Sequence, residues 1–241
     1  MNDLATATDL TEIDFLDFGA SKGGSIDFAR RSLGGSNGLG VDKDGAKVAR
    51  MQSLGYACLE ADITSLDMPA DSVRFVVMSH ILEHLPGLHT VRQTIESAAR
   101  VATDFIYIQG PYFDADEALA TQGFKFYWSD WHGHTFHLTT WELAGLLYEL
   151  GLANYALFGR VPVADSSDPA IHPLSSPRDQ HDYQPEVHPP KPTVIFAPPL
   201  HKKPVYREFV CVVRLRDFDG WNAVVRARRG CEFIDGTLPL S

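Results

Sequence analysis

Short apolar runs alternate with amphipathic stretches through the first half of the chain. Runs such as Val73–Ser79 are rich in β-branched residues, which is typical of strands buried on both faces of a parallel sheet. Stretches between them, such as Ala46–Leu54, have helical composition and end at a glycine. This alternation predicts parallel strands with crossover helices on both faces of one sheet.

The predicted elements give the fold class. The predicted strands are Ile13–Phe18, Gly38–Val41, Ala57–Ala61, Val73–Ser79, Phe105–Ile108, Tyr155–Val163 and Arg207–Leu215. The predicted helices are Ile26–Leu33, Ala46–Leu54, Val91–Val101 and Glu142–Leu150. We therefore predict an α/β fold with a doubly wound, mostly parallel, seven-stranded sheet, which is the Rossmann-like arrangement.

Prolines are concentrated in one part of the chain. Residues 162–204 contain 11 of the 15 prolines, which is incompatible with helix interiors and central strands. We predict a long extended loop there, inserted into a single domain of residues 1–215 that is followed by a tail of residues 216–241. Such a loop can be a lid, a dimer arm or a strap, so the oligomeric state stays open.

Charge and composition narrow the range of partners. The 241 residues carry a formal net charge of -10, which disfavours nucleic acid and anionic membranes as partners. Three widely spaced cysteines indicate neither a disulfide framework nor a thiolate metal site. The N-terminus is acidic where a signal peptide would be basic, and no apolar run has the length of a membrane span. We expect a cytoplasmic protein.

A glycine-rich turn follows the first predicted strand. The sequence there is LDFGASKGG, residues 16–24, and a helix is predicted directly after it. Glycine permits a tight turn and close approach of a ligand, and the N-terminus of the helix offers free N–H groups to an anion. Asp42 ends the second strand 19 residues after Gly23, where the ribose hydroxyls of a nucleoside cofactor are accepted.

The turn resembles the D-x-G-x-G-x-G motif of the class I S-adenosylmethionine-dependent methyltransferases, with Ser21 in place of the middle glycine. Asp62 and Ile63 follow the third strand and resemble the acid and apolar pair that contacts adenine in this family. Ser79 and His80 begin SHILEHL, which resembles the segment after the family's fourth strand. The resemblance implies S-adenosylmethionine as the cofactor. The cofactor-binding residues that it implies are Asp17, Gly19, Ala20, Ser21, Gly23, Gly24, Asp42, Lys43, Asp62, Ile63, Ser79 and His80.

Candidate catalytic residues are few, because methyl transfer needs mainly alignment, exclusion of water and, for a hydroxyl acceptor, removal of a proton. His80 after the fourth strand, and His132 and His134 in the segment FKFYWSDWHGHTFHL, are candidate bases, although each can equally be a satisfied loop residue. Aromatic residues that can line an acceptor pocket or form a plain hydrophobic cover are Tyr112, Phe126, Tyr127, Trp128 and Trp131. By resemblance, we expect a small-molecule or saccharide hydroxyl as the acceptor.

Three other functions remain open. Residues 80–84 spell the zinc motif H-x-x-E-H, but the preceding strand and Pro86 leave too little helix to align both imidazoles, so we expect no metal. A nicotinamide-dependent oxidoreductase also uses a glycine-rich turn, but the turn is not G-x-G-x-x-G and no Tyr-x-x-x-Lys pair is present. A non-catalytic S-adenosylmethionine-binding or scaffold protein can share the same fold.

The resemblance gives Asp42 and Asp17 separate roles, on the ribose and near the amino group of the cofactor. We predict that Asp42→Ala weakens S-adenosylmethionine binding and leaves folding intact, because it removes a ribose acceptor from a strand end. Calorimetric titration of the variant checks this prediction. An unchanged affinity would rule out the assignment.

Overall fold

The computed structural model describes residues 12–197, 204–221, 224 and 230–237. In that part of the chain the helices are α1 Gly24–Ser32, α2 Gly45–Ser53, α3 Leu88–Val101, α4 Asp116–Thr121 and α5 Thr140–Glu149. The strands are β1 Phe15–Phe18, β2 Gly38–Asp42, β3 Ala57–Glu60, β4 Val73–Ser79, β5 Ala102–Pro111, β6 Phe124–Phe126, β7 Tyr155–Val163, β8 Ile171–Pro173, β9 Val205–Arg214 and β10 Cys231–Gly236. None of the described helices has the length and apolar character of a membrane span.

Eight strands form one sheet, hydrogen-bonded in the order β10-β7-β9-β5-β4-β1-β2-β3. β1 pairs in parallel with β2 and β4, and β2 pairs in parallel with β3. β10 pairs antiparallel with β7, so the sheet is mixed. β6 and β8 form a separate antiparallel pair. The predicted α/β fold with a mostly parallel sheet is confirmed, with eight strands in place of the seven predicted.

The chain divides into two compact units. The first unit lies within Met1–Ser79, Arg92–Ile108 and Val212–Arg229, and it contains β1 to β4 with α1 and α2. The second unit lies within His80–Val91, Gln109–Cys211 and Gly230–Ser241, and it contains β6, β7, β8 and β10 with α4 and α5. The predicted cofactor residues up to Ser79 therefore belong to the first unit, and all three candidate bases belong to the second.

A stack of phenylalanine rings forms the core of the first unit. The parallel register places Phe15 of β1 opposite Phe75 of β4, and their ring centroids lie 4.8 Å apart. Phe75 stacks in turn on Phe105 at 4.6 Å, and all three side chains are fully buried. The Phe15 ring also fills the space beside Gly38, where a Cβ would lie 2.3 Å from it. A glycine is therefore required at the start of β2.

A capping box fixes the start of α5 in the second unit. The Thr139 hydroxyl accepts from the Glu142 N–H at 3.2 Å, and the Glu142 carboxylate accepts from the Thr139 N–H at 2.9 Å. The Asp114 carboxylate accepts from both the N–H and the hydroxyl of Thr140. The histidine-rich segment before α5 is thereby held at its C-terminal end.

The proline-rich segment contains more regular structure than the predicted extended loop. β8 within it pairs with β6, and the Ser166 N–H and hydroxyl bond to Val194 on the returning chain. The Lys191 ammonium donates to the backbone carbonyls of Asp168 and Ile171. These bonds replace the ladder that proline cannot make. Residues 198–203 of the predicted loop lie outside the described residues.

Four elements have no counterpart among the predicted ones: α4, β6, β8 and β10. β10 lies in the predicted tail, and its sequence CEFIDG has no apolar run because it is a largely exposed edge strand. β6 and β8 have three residues each, which is too short to show a period in the sequence. Residues 222–223, 225–229 and 238–241 of the predicted tail lie outside the described residues.

We predict that Phe75→Ala lowers the free energy of unfolding by about 3–5 kcal/mol, because it removes the central ring of a fully buried stack. Urea denaturation of the whole chain measures the effect. Trp141→Ala is the matched control, since this large aromatic residue is 81% exposed and its loss should change stability by about 0.5 kcal/mol or less. Equal effects of the two substitutions would contradict the described core.

Candidate functional site

Asp17 of β1 is fully buried in the first unit. Its Oδ2 accepts a hydrogen bond from the Ser25 hydroxyl at 2.5 Å, whereas its Oδ1 has no hydrogen-bond partner among the described residues. Burial raises the pKa of Asp17 to about 7; the Ser25 hydrogen bond lowers it and the nearby Asp42 charge raises it further. This carboxyl group can therefore gain or lose a proton near neutral pH and offers one free acceptor atom.

The turn after β1 has the backbone conformation of the glycine motif. Gly19, Ser21 and Gly23 all have positive φ, of 74°, 46° and 81°. The Gly23 N–H donates to the Ala20 carbonyl at 2.8 Å, and Gly23 caps the N-terminus of α1. Ser21 thus adopts the left-handed conformation for which glycine is favoured, at a cost of about 1–2 kcal/mol. The serine at this position therefore has the backbone conformation that a glycine adopts readily.

The other acids of the predicted cofactor site lie at the same edge of the sheet. Asp42 is the last residue of β2, is nearly buried, and accepts from the Asp44 N–H at 2.9 Å. Asp62 follows β3 and accepts from the N–H and hydroxyl of Thr64 through one carboxylate oxygen. These hydrogen bonds lower the pKa of Asp62. Parallel pairing brings the carboxyl ends of β4, β1, β2 and β3 to one edge, so the predicted residues converge there.

Three further predicted cofactor residues lie on the same unit, whereas His80 lies on the second. Ile63 is buried beside Asp62, Lys43 is exposed after β2, and Ser79 ends β4 half-buried. An open cleft of about 390 Å³ also lies on this unit, lined by residues that include Asp14 and Arg74. That cleft borders the amino ends of β1 and β4, the opposite end of the strands from the one where parallel α/β sheets bind ligands.

A cavity of about 290 Å³ lies wholly within the second unit. Its aromatic walls are Tyr127, Trp128, Trp131 and His181, and the Trp131 and His181 ring centroids lie 4.9 Å apart. Its other lining residues are His80, Glu83, His84, Pro111, His134, Arg207 and Glu208. A small apolar cavity with a few convergent polar groups is the usual form of a small-molecule site.

His80 lies on the wall of this cavity as part of a charged cluster. It follows β4 directly and has a φ of 53°, and its N–H donates to the Gln109 carbonyl at 2.8 Å. Its Nδ1 lies 3.4 Å from the Glu83 carboxylate, and its Nε2 lies 3.3 Å from the Glu208 carboxylate. Burial lowers the pKa of His80, but the two carboxylates together outweigh it and raise the pKa to about 9. His80 is therefore an imidazolium at neutral pH.

The two carboxylates beside His80 differ in how well they are satisfied. Glu208 accepts from Arg160 at 2.7 Å and from the Gln109 amide at 3.1 Å. Burial raises the pKa of Glu208, but His80 and Arg160 lower it more, so the group is ionised. Glu83 is 2% exposed, and its Oε1 has no hydrogen-bond partner in the described structure. The His80 Nδ1 lies 3.4 Å from this Oε1, which is within ion-pair range but longer than an ordinary hydrogen bond.

His84 and His134 also line the cavity, and their rings share one arrangement. The Nδ1 of His84 lies 2.7 Å from the Gly133 carbonyl oxygen, and the Nδ1 of His134 lies 2.8 Å from the Trp128 carbonyl oxygen. Because a carbonyl can only accept, each Nδ1 carries the hydrogen, and the lone pair of the neutral form of either ring is on Nε2. Burial lowers the pKa of His134, so this ring is neutral at neutral pH.

Sequence reasoning located this cavity only in part. Tyr127, Trp128 and Trp131 line it as expected, whereas Tyr112 and Phe126 are buried and do not border it. The side chain of His132 is 76% exposed, pairs with Asp179, and also lies outside the lining. The lining residues that sequence reasoning missed are Glu83, His84, Pro111, His181, Arg207 and Glu208. His181 comes from the proline-rich segment, and Arg207 and Glu208 come from β9, where no local motif marks them.

Comparisons with known proteins agree with the fold. Residues 16–104 match a family model described as a methyltransferase domain. A S-adenosylmethionine-dependent methyltransferase from Archaeoglobus fulgidus superposes with a TM-score of 0.58 at 14% identity, over 85% of this chain and 87% of that one. Another from Thermotoga maritima superposes with a TM-score of 0.51 at 11% identity, over 84% and 82% of the two chains. No curated protein matches the sequence.

The pKa of Asp17 predicts a pH-dependent affinity for a ligand that carries an ammonium group. The ammonium pairs with the ionised carboxylate, so S-adenosylhomocysteine should bind about tenfold more weakly at pH 6 than at pH 8, where Asp17 is ionised before binding. Other titratable groups near Asp17 are Asp42 and Cys58, and burial raises the pKa of the Cys58 thiol to about 11, beyond this range.

Calorimetric titration at the two pH values measures this effect. Asp17→Asn keeps an acceptor for Ser25 and removes the charge, so its affinity should be weak and equal at both values. A wild-type affinity that does not change with pH, or an Asp17→Asn variant that keeps the wild-type slope, would contradict the assignment.

Proposed function

Because this chain carries a class I S-adenosylmethionine-dependent methyltransferase domain, we propose that it methylates a hydroxyl group of a small-molecule or saccharide acceptor. Its cofactor is S-adenosylmethionine, and it is a methyltransferase. What we propose is the chemical class of the acceptor. One observation carries it: an aromatic-lined cavity whose wall holds His134, a neutral imidazole with a free Nε2.

The cofactor residues of the proposal lie at the carboxyl edge of the first unit. The unpaired Oδ1 of Asp17 suits the cofactor's ammonium group, because a buried carboxylate oxygen without a donor is otherwise costly. The free N–H groups at the start of α1 suit its carboxylate. Asp42 is assigned to the ribose hydroxyls, and Asp62 with Ile63 to the adenine ring. Lys43 directly follows Asp42 in the sequence, and Ser79 is the last residue of β4.

The cavity in the second unit suits a ring with hydroxyl groups. Trp131, Tyr127 and His181 present aromatic surfaces on which a sugar or phenol ring can pack. A volume of about 290 Å³ favours a small acceptor, or one ring of a larger molecule. The net charge of -10 favours such an acceptor over nucleic acid. All three cysteines are free thiols, which supports a reducing, cytoplasmic location.

His134 is the proposed proton acceptor. When bound, S-adenosylmethionine supplies a methyl group on a positively charged sulfur, which keeps the electron pair of the breaking S–C bond as the acceptor oxygen bonds to the methyl carbon. The Nε2 of His134 takes the proton of that hydroxyl, and the bond from its Nδ1 to the Trp128 carbonyl holds the ring in the required tautomer.

His80 has a different role in this proposal. Both of its ring nitrogens face carboxylates, and it is already protonated, so it has no lone pair to accept a hydroxyl proton. Its position directly after β4 and its left-handed backbone suit a residue that fixes the turn between strand and pocket wall. We therefore assign His80 to positioning. His132 is exposed and carries no catalytic role in the proposal.

A substrate screen tests the acceptor class. The whole chain is incubated with S-adenosylmethionine and a panel of phenols and methyl glycosides, each paired with the matching aniline or amino sugar, and S-adenosylhomocysteine is quantified by mass spectrometry. We expect turnover of hydroxyl compounds. With the best of them, His134→Gln should lower kcat about 100-fold or more while leaving the affinity for S-adenosylhomocysteine unchanged.

His89→Gln is the matched control for this experiment, because His89 is an exposed histidine of α3 that lines no part of the cavity. Its kcat should equal that of the wild type. Turnover confined to the amines would refute the hydroxyl assignment, and a wild-type kcat in His134→Gln would refute the role of His134.

A further inference from the structure

We propose that Glu83, His84 and His134 bind a divalent transition-metal ion on the wall of the acceptor cavity. One carboxylate oxygen of Glu83 and one ring nitrogen of each histidine lie within 4.8 Å of one another. The two imidazole rings meet edge-on, with centroids 5.0 Å apart and an angle of 68° between their planes. All three residues line the cavity, so a bound ion would be open to the acceptor.

Both histidines are oriented as metal ligands are. Each donates its Nδ1 hydrogen to a backbone carbonyl, His84 to Gly133 and His134 to Trp128. In metal sites this second bond fixes the tautomer and the direction of the coordinating nitrogen. Because each Nδ1 is engaged by a backbone carbonyl, Nε2 is the nitrogen with which each ring can coordinate an ion.

The carboxylate supplies an independent observation. Glu83 is 2% exposed, and its Oε1 has no hydrogen-bond partner among the described residues. The nearest cation is His80, whose Nδ1 stays 3.4 Å away and whose other nitrogen faces Glu208. The Glu83 Oε1 faces this Nδ1 at ion-pair distance but accepts no hydrogen bond from it, and a buried carboxylate oxygen without a donor is costly unless a further cation or donor completes it. A metal ion on the cavity side of Glu83 would do so.

The donor set indicates the kind of ion. Two imidazole nitrogens and one carboxylate oxygen suit zinc, iron(II), manganese or cobalt, whereas magnesium and calcium prefer oxygen ligands. Three protein ligands leave at least one position for an outside oxygen. The sequence motif H-x-x-E-H would have used His80 with His84. The structure brings His134 to the cluster in place of His80, whose nitrogens both face carboxylates.

This inference rests on the hydroxyl acceptor of the proposed function and changes the role of His134 when the metal ion is bound. In the metal-free protein the Nε2 of His134 is available to take the acceptor's proton. In the metal-bound protein that nitrogen would be a ligand, and the cation would lower the pKa of an acceptor hydroxyl bound to it, so that the proton could pass to water and methyl transfer would need no protein base.

Calorimetric titration of the whole chain, freed of metal with a chelator, tests the site without cofactor or acceptor. Zinc chloride is the probe and magnesium chloride the comparison. We expect one equivalent of zinc to bind and no heat from magnesium. Glu83→Gln, His84→Gln and His134→Gln should each weaken zinc binding at least about tenfold, whereas His89→Gln should bind as the wild type does.

Cobalt(II) gives a second readout, because its visible absorption reports nitrogen and oxygen coordination and should disappear in the same three variants. Thermal unfolding confirms that each variant is folded. The absence of zinc binding, or equal zinc binding by Glu83→Gln, His134→Gln and the wild type, would overturn the metal site. Full methyl transfer in the presence of a chelator, together with no zinc binding, would overturn the metal site and leave the proposed function standing.

Discussion

β1 pairs in parallel with β2 on one side and with β4 on the other, and this pairing fixes where the glycine-rich turn after β1 begins. The register depends on ring packing, since Phe15 lies opposite Phe75 and fills the space beside Gly38. A shift by one residue would turn Asp17 to the other face of the sheet. Burial of three aromatic rings therefore specifies where one carboxylate lies.

Buried carboxylates recur on both units, and they are left incompletely satisfied in the same way. Asp17 and Glu83 each keep one buried oxygen without a hydrogen-bond partner among the described residues. Such groups reduce stability in the free protein, because the lost hydration is not repaid. A bound ammonium group or metal ion would supply the missing interaction. Burial of the oxygen therefore lowers the stability of the free protein and favours binding of a cation. The satisfied carboxylate Glu208 shows the contrast, since three side chains surround it.

The residues proposed to bind the cofactor could be predicted from the sequence because their motif is local. Asp17, the glycines, Asp42 and Asp62 each follow a strand that the apolar pattern marks, and parallel pairing brings strand ends together. Ser21 departs from the motif in residue type, yet its φ of 46° is the one a glycine would supply. Sequence alone could not show this, because a residue's neighbours decide whether a strained conformation is tolerated.

The sequence by itself determined the α/β class and most strand and helix positions, and it supplied the motif on which the proposed cofactor residues rest, because periodicity, turns and strand ends are encoded within a few neighbouring residues. Tertiary structure alone decided the acceptor cavity, where His181 and Glu208 join His80 and His134 from distant segments. Tertiary structure also decided the protonation states of the two histidines. Two carboxylates keep His80 charged, whereas burial keeps His134 neutral. Proton affinity depends on charges within a few ångströms in space, and those distances exist only after folding.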